Sequence, residues 1–482
     1  MAEKSIRKNA AFNVMKTAMS MLFPLITFPY ASRILSPEGI GKVNFANSIV
    51  AYFTLIAGLG IEFYGIREGA RVRHDKDKLS KLTMELFLLN LISTVISYGL
   101  FAISLIFVPK LFDYRLLLLV CSSTIVFSPL SLHWLYGALE EYKFVAIRSM
   151  AIQLLSLVFL FVFVRTQNDY VIYACMTVIS AVGANVCNLI HARKFVSLHV
   201  KEKLNIAQHV KPVMFFFGSA LAVSVFSMLD TSMLGFLTDD AQVGYYSAAT
   251  KLVRMIRDLF PAVFTTLLAK LSIESASDSK TELQSVIEKT LNFIMALAFP
   301  IIAGLLIFGE PVLLLLSGEK YIPAIPTLNI LIPMILFSAW SGFLGGGTML
   351  SSPGKEGLYL LCEVSGAVLN VCLNFLMIPF WKSFGAGFAT LLTEFAFAII
   401  FTCVNRKNIF FARLAVPFFQ YLVSTVLMAA VCYLINMFVS IIPIKLVCGI
   451  GAGIVSYFVC LVLLGNCYAK SMVEFVRSKI RK

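Results

Sequence analysis

Charge is scarce in this 482-residue chain: Asp, Glu, Lys and Arg together make up 14% of it. Soluble proteins carry about a quarter. A soluble chain of this length would form about three domains, and too little polar surface is present to cover three cores. Polar connections are scarce as well. The longest polar stretches run over 64–81, 192–211 and 269–285, and none is long enough for a soluble domain. These shortages exclude a water-soluble enzyme, and an apolar content of 59% excludes a disordered or fibrous chain. What remains is an all-α polytopic membrane protein.

Other absences narrow the chemistry. No G-x-x-x-x-G-K-[ST] occurs, since Gly41-Lys42 and Gly354-Lys355 lack the first glycine and the hydroxyl residue, so this chain is not expected to pump with a bound nucleotide. The five histidines show no H-E-x-x-H spacing, no external Ser/His/Asp set is visible, and no metal or cofactor is expected. Ten cysteines lie in or beside apolar stretches without a C-x-x-C pair, which reads as small packing residues rather than a disulfide framework. Lys4, Arg7 and Lys8 precede an apolar run with no small-residue cleavage site, so that run reads as a retained first helix.

A spanning helix needs about 20 mostly apolar residues. Fourteen stretches satisfy that length: 10–32, 41–63, 82–108, 114–136, 146–164, 170–191, 212–236, 244–268, 286–308, 323–350, 357–379, 386–404, 414–438 and 446–466. The net charge of +14 on a soluble protein would suggest nucleic acid. Here the basic residues are dispersed among the loops, and they sort by side. With a cytoplasmic N-terminus, only Arg33, Lys42, Lys110, Arg115, Arg165, Lys320, Lys382 and Lys445 fall outside, and Lys16, Lys251, Arg254 and Arg257 fall within spans; the other 28 of the 40 are cytoplasmic. This asymmetry is the positive-inside pattern and places both termini in the cytoplasm.

The chain also repeats itself. Leu35-Ser36-Pro37-Glu38-Gly39-Ile40-Gly41, with Ala46 beyond, matches Leu237-Thr238-Asp239-Asp240-Ala241-Gln242-Val243-Gly244, with Ala249 beyond, after one single-residue gap. Gly137-Ala138-Leu139-Glu140-Glu141-Tyr142 likewise parallels Ser352-Pro353-Gly354-Lys355-Glu356-Gly357. Each pair is six spans apart, so both copies keep one orientation, as parallel repeats do. The expected organisation is an N-terminal six-helix lobe over 1–211, a second six-helix lobe over 212–413, and an added helical pair with a tail over 414–482. Two pseudo-symmetric lobes around a central cavity suit alternating access.

Ionisable groups in hydrocarbon cost at least about 2.5–3.5 kcal/mol each, so each is a functional candidate. Lys251, Arg254, Arg257 and Asp258 fall on one stripe of the eighth span, and Arg254 and Asp258 form an i,i+4 pair. Guanidinium groups bind a pyrophosphate bidentately and stay charged; an interlobe salt-bridge cluster is the competing reading. Asp230, Glu363 and Glu394 are candidates to hold a coupling proton or cation, and Asp258 joins them. Lys16 lies near the cytoplasmic end of the first span, and Arg33 at its external mouth. Asn44 with Asn47, and Asn370 with Asn374, form one-face polar pairs that line a cavity or bond between helices. Glu62 and Glu85, beside Arg67 and Lys81, read as interfacial pairs. Pro24, Pro29, Pro129, Pro261, Pro300 and Pro333, with Gly345-Gly346-Gly347, offer hinges.

Three segments carry a family resemblance. Phe28–Gly41 (FPYASRILSPEGIG), Leu229–Ala249 (LDTSMLGFLTDDAQVGYYSAA) and Gly137–Ser149 (GALEEYKFVAIRS) resemble bacterial polysaccharide (O-antigen type) flippases of the multidrug/oligosaccharidyl-lipid/polysaccharide exporter superfamily. The turn motifs separate that superfamily from other proteins better than they separate its branches. The resemblance implies a flippase that moves undecaprenyl-pyrophosphate-linked oligosaccharide across the bacterial inner membrane by alternating access, with H+ or Na+ as counter-ion, membrane lipids around it and a polysaccharide polymerase as a partner. It also implies cavity arginines for the pyrophosphate, with Arg254 and Arg257 in the matching region. The alternative is a cation-coupled multidrug antiporter of the same fold. A glycan polymerase would need long external loops, and the external loops here are short.

Overall fold

Two residues interrupt what would otherwise be very long helices. Ser36, at φ 62 and ψ 171, breaks α1 (Ile6–Gly58), and Lys382, at φ 51 and ψ −128, breaks α14 (Glu356–Val404). Both angle pairs lie where L-residues are strained. Each break is a kink that separates two helices, so α1 carries the first two expected spans and α14 the eleventh and twelfth. The computed structural model describes residues 6–197, 203–261, 280–349, 356–466 and 469–470, and no strand occurs among them.

The remaining helices follow in chain order: α2 (Ile61–Val72), α3 (Lys76–Phe107), α4 (Pro109–Asp113), α5 (Arg115–Val126), α6 (His133–Ala138), α7 (Tyr142–Phe163), α8 (Tyr170–Ala192), α9 (Ala207–Leu237), α10 (Asp240–Arg257), α11 (Lys280–Ser317), α12 (Ile325–Leu331), α13 (Met334–Gly342), then, after α14, α15 (Phe411–Phe438) and α16 (Ile442–Leu463). Among the described residues, eight helical stretches are individually long and apolar enough to cross a membrane, and a bent pair, 319–331 with 334–348, makes a ninth. Resolved at Ser36 and Lys382, and with α5, α9 and α10 added, the described segments fall in all fourteen expected positions. The fold is an all-α, multi-pass membrane fold.

The expected hinges divide into two groups. Pro24, Pro29 and Pro300 sit inside helices whose backbone stays helical around them. Pro333 marks a 47° bend, and the Gly345-Gly346-Gly347 run sits in a π-helical segment, Phe343–Met349, the kind of bulge that locally re-aims a helix. Pro129 ends α5 early: a three-residue 3-10 turn, Ser128–Leu130, replaces the middle of the fourth span.

The contacts divide the chain into two units, Met1–Ser247 and Ala248–Lys482. In the first, the stretch 64–81 is not a loop. Ile61–Val72 is amphipathic and lays Gly65 and Gly69 against Trp134 of α6, where any Cβ would come within 3.0 Å of neighbouring atoms. Asp75 then caps α3, accepting from the backbone amides of Asp77 and Lys78 at 3.1 Å each. Those bonds, with the Lys78 side chain, hold its carboxyl below the usual carboxylate range. The core here gathers Leu79, Leu82, Leu86, Leu135 and Tyr136.

The two matched turns touch each other inside this same unit, and they do so reciprocally. A Cβ on Gly41 would lie 1.8 Å from the Asp240 carbonyl oxygen, and one on Gly244 would lie 2.1 Å from the Pro37 carbonyl oxygen. Aligned back from their glycines, Pro37 and Asp240 are equivalent: each opens the helix that follows its break. Residue i of one copy thus meets residue j of the other and the reverse, which is the mark of a two-fold relation. The alanines five residues on, Ala46 and Ala249, are both fully buried. The second turn is further held by Lys110, which donates to the Thr238 carbonyl at 3.0 Å, and by Tyr114, whose hydroxyl donates to Asp240 Oδ1 at 2.5 Å. The other matched pair cannot be compared in the same way, because 350–355 lies outside the described residues.

In the second unit, α15 and α16 pack on α11. Phe308 enters the space left by Gly449, where a Cβ would come within 2.3 Å of its ring, and Met428, Cys432 and Leu446 surround it. The Tyr457 hydroxyl ties α16 to the Ala296 carbonyl at 2.8 Å.

Candidate functional site

The eighth span departs from the apolar pattern, and its last turns carry the charge. Lys251, Arg254 and Arg257 lie along α10, all of them partly buried, with Asp258 exposed just beyond. Arg257 Nη2 bonds Asp258 Oδ1 at 2.8 Å, and Nε reaches the same oxygen at 3.0 Å. A second acid stands near. Glu394, 6% exposed on α14, lies within Coulombic range of both Arg257 and Glu363, and accepts from the Ser341 hydroxyl at 3.3 Å. Glu363 in turn is hydrogen-bonded with Tyr359 one turn earlier on α14.

Residues up to 137 positions apart in the chain are thus electrically linked: Arg257 pairs with Asp258, and Glu394 lies within Coulombic range of Arg257 and of Glu363. Lys251 and Arg254 continue the cationic stripe toward the start of α10. On the same α14, Asn370 and Asn374 are fully buried and pair within the helix, with Asn374 Nδ2 3.0 Å from Asn370 Oδ1.

The first unit holds the other candidates. Asp230 is 3% exposed, and the Tyr246 hydroxyl donates to its Oδ2 at 2.5 Å. Two residues on, Ser232 shares a hydrogen bond with Tyr52 at 2.8 Å, so the acid sits in a polar patch joining α1, α9 and α10. Asn44 and Asn47 are both half-buried on α1. Asn47 lines an open cavity of about 540 Å³ whose lining residues all belong to this unit. Arg33 is exposed just before the Ser36 break. The Lys16 side chain lies outside the described residues.

Two features of the first unit escaped the sequence. Glu85 does not pair with Lys81 or Arg67. It is 1% exposed, and His209 Nε2 meets it at 2.7 Å while the Asn205 amide donates to it at 2.7 Å. His209 Nδ1 continues to the Tyr64 hydroxyl at 2.7 Å. With the imidazole neutral and its proton on Nε2, every polar atom in this chain is satisfied: Tyr64 donates to His209, and His209 donates to Glu85. Arg67 instead bonds Glu68 at 3.0 Å and lies over the Tyr64 and Phe216 rings. The second feature is Arg148, which the charge count placed in a cytoplasmic loop. It is 8% exposed in α7 and bonds the Asn188 side chain, whose amide nitrogen bonds the Ser131 carbonyl. Nothing local marked either one, because the partners are 40 or more residues away.

The Glu85 chain gives a stability prediction. Glu85→Gln sets an amide nitrogen against donors that expect an oxygen. An unsatisfied buried donor costs about 1–3 kcal/mol, so the variant should unfold several degrees lower in a detergent melt. An unchanged midpoint would show that the buried chain contributes nothing.

Residues 6–272 match the family described as "Polysaccharide biosynthesis protein". A protein of Escherichia coli (strain K12) named "Putative O-antigen transporter" is 23% identical over 415 residues, covering 84% of this chain and 97% of that one. Among solved structures, the lipid II flippase MurJ in an inward closed conformation superposes with a TM-score of 0.75 at 15% identity, over 96% of this chain and 100% of the other. An inward-facing multidrug resistance MATE family transporter superposes with a TM-score of 0.66 at 14% identity, over 82% and 97%. At such identities the structural likeness establishes the fold alone. The family match runs through the first seven spans and the charged end of α10, more than half of the chain, and on that ground this chain belongs to the polysaccharide biosynthesis protein family.

Proposed function

We propose that this protein is a flippase that carries an oligosaccharide linked to undecaprenyl pyrophosphate from the cytoplasmic to the periplasmic leaflet of the bacterial inner membrane, by alternating access of its two lobes and without enzymatic chemistry. The observation that carries this reading is the stripe Lys251, Arg254 and Arg257 on a membrane-inserted helix, in a chain whose family serves polysaccharide synthesis. A polyprenyl pyrophosphate presents an anion that must leave the headgroup region, and bidentate guanidinium groups replace the water it loses. The relative's name and the MurJ-like fold support the same reading.

The carboxylates belong to the other half of the cycle. Asp258 pairs with Arg257, and Glu394 and Glu363 lie near, so acids sit close to the anion-binding stripe and suit a cation or proton that exchanges for the anionic cargo. In this reading Asp230, Asp258, Glu363 and Glu394 respond to the counter-ion, H+ or Na+. Both termini face the cytoplasm, where the basic loops are held. A polysaccharide polymerase is the expected consumer of the flipped unit.

Deletion of the gene tests the class. The cell should lose its surface polysaccharide and accumulate lipid-linked repeat units on the cytoplasmic leaflet. The antiporter alternative, which the 0.66 superposition on a multidrug transporter keeps in view, expects drug resistance that depends on Asp230 and intact surface glycan. A susceptibility panel in Asp230→Asn cells separates the two.

A further inference from the structure

We infer that the cavity of about 540 Å³ in the first unit is a saccharide subsite that holds the uncharged, hydroxyl-rich part of the cargo, apart from the residues that take its pyrophosphate. The inference rests on the flippase reading and names which part of the cargo this wall receives.

The lining is made of neutral hydrogen-bonding groups. Asn47 and Thr54 come from α1, Thr124 from α5, Ser128 and Ser131 from the interruption at Pro129, and Asn185 from α8. Among the described residues that line it, no Lys or Arg is present, and Glu62 contributes a carboxylate. A pyrophosphate would find no counter-charge there and one repelling group. Sugar hydroxyls both donate and accept, and amide side chains offer both partners in a fixed plane. Thr54 and Thr124 donate their own hydroxyl protons to helix carbonyls, Val50 at 3.0 Å and Cys121 at 2.8 Å. Their oxygens therefore act toward a ligand as acceptors. Phe63 and His133 supply flat faces for the C–H side of a sugar ring.

The lining is also held in place. Asn185 Nδ2 donates to the Phe127 carbonyl at 3.1 Å, which sets the plane of its amide. Ser131 is anchored through its carbonyl by Asn188, itself bonded to Arg148. The volume falls within the 300–1,000 Å³ typical of ligand pockets, room for a short oligosaccharide rather than a whole polymer.

The full-length protein in nanodiscs tests this with two probes: inorganic pyrophosphate, and the reducing oligosaccharide released by mild acid from the producing cell's own lipid-linked pool. Saturation-transfer NMR reads binding of each. The oligosaccharide should bind the wild type and lose at least about tenfold in affinity in Asn47→Ala/Asn185→Ala, since two neutral hydrogen bonds contribute that much. Ala181→Trp, which fills the cavity from an exposed wall position and removes no polar group, should lose binding as well. Pyrophosphate binding should stay within twofold in both variants. The inference falls if the oligosaccharide does not bind the wild type, if both variants bind it unchanged, or if pyrophosphate displaces it. Intact surface glycan after gene deletion would instead sink the flippase reading, while the titration still reports what the cavity binds.

Discussion

Gly244→Ala should melt far below the wild-type protein in detergent, and Gly41→Ala should do the same. The added methyl group would sit 2.1 Å from the Pro37 carbonyl oxygen in the first case and 1.8 Å from the Asp240 carbonyl oxygen in the second. Both obstacles are backbone atoms, so no rotamer change relieves them, and the two turns must move apart. Ordinary overpacking costs about 1–3 kcal/mol; a backbone collision shared by two helix starts should exceed that. Displacement would also strain the bonds that Lys110 and Tyr114 make to the second turn. Gly218→Ala is the control, because nothing lies within 4 Å of its added Cβ. Inside a helix that change should be neutral or stabilising by up to about 1 kcal/mol. Detergent melts of the three variants measure this directly. If Gly244→Ala melts with Gly218→Ala, the close approach of the turns is not a feature of the folded protein. The reciprocal geometry adds a sharper expectation: one displacement relieves both collisions, so the double variant should lose less than the two single losses combined.

Arg254→Ala/Arg257→Ala should reduce surface polysaccharide by about a hundredfold or more while the protein stays at normal abundance in the membrane. A hydrogen bond to a charged group contributes about 1.5–3 kcal/mol, and two of them give at least about two powers of ten. The single variants differ in meaning. Removing Arg257 also strips Asp258 of its ion-pair partner and Glu394 of a neighbouring positive charge, so its loss mixes substrate binding with disturbance of the acids. Arg254→Ala leaves the Arg257–Asp258 pair in place. Arg254→Lys keeps the charge but not the planar fork, and should recover only part of the function if recognition is bidentate. Wild-type glycan in the double variant would remove the stripe from the binding machinery and leave it as a structural ion cluster.

What was legible in the sequence were the properties that the bilayer imposes on each segment separately. A helix must satisfy its own backbone in hydrocarbon, so its length and composition announce it, and the described helices occupy the positions that a 20-residue ruler assigned. The stretch 64–81 was misread for the complementary reason. Its polar residues suggested a loop, whereas Ile61–Val72 needs only one apolar face, and that face is buried on α6. Pro129 reads as a hinge of the fourth span, but only the structure shows that a 3-10 turn replaces the middle of that span and that Ser128 and Ser131 line the cavity.

The candidate charges show the same boundary. Lys251, Arg254, Arg257 and Asp258 could be grouped in advance because helical periodicity is local. That Glu394 stands near Arg257, that Asp230 meets Tyr246, and that Glu85 is held by His209 and Tyr64 depended on helices packing side by side. The sequence by itself determined that this is a membrane protein of fourteen helical segments, with a repeated turn and a charged eighth helix. Only the tertiary structure decided which charges are neighbours and why Gly41 and Gly244 admit no side chain. Hydrophobicity and periodicity act within one segment, whereas ion pairs and close backbone approaches exist only between segments, where chain separation carries no information about distance.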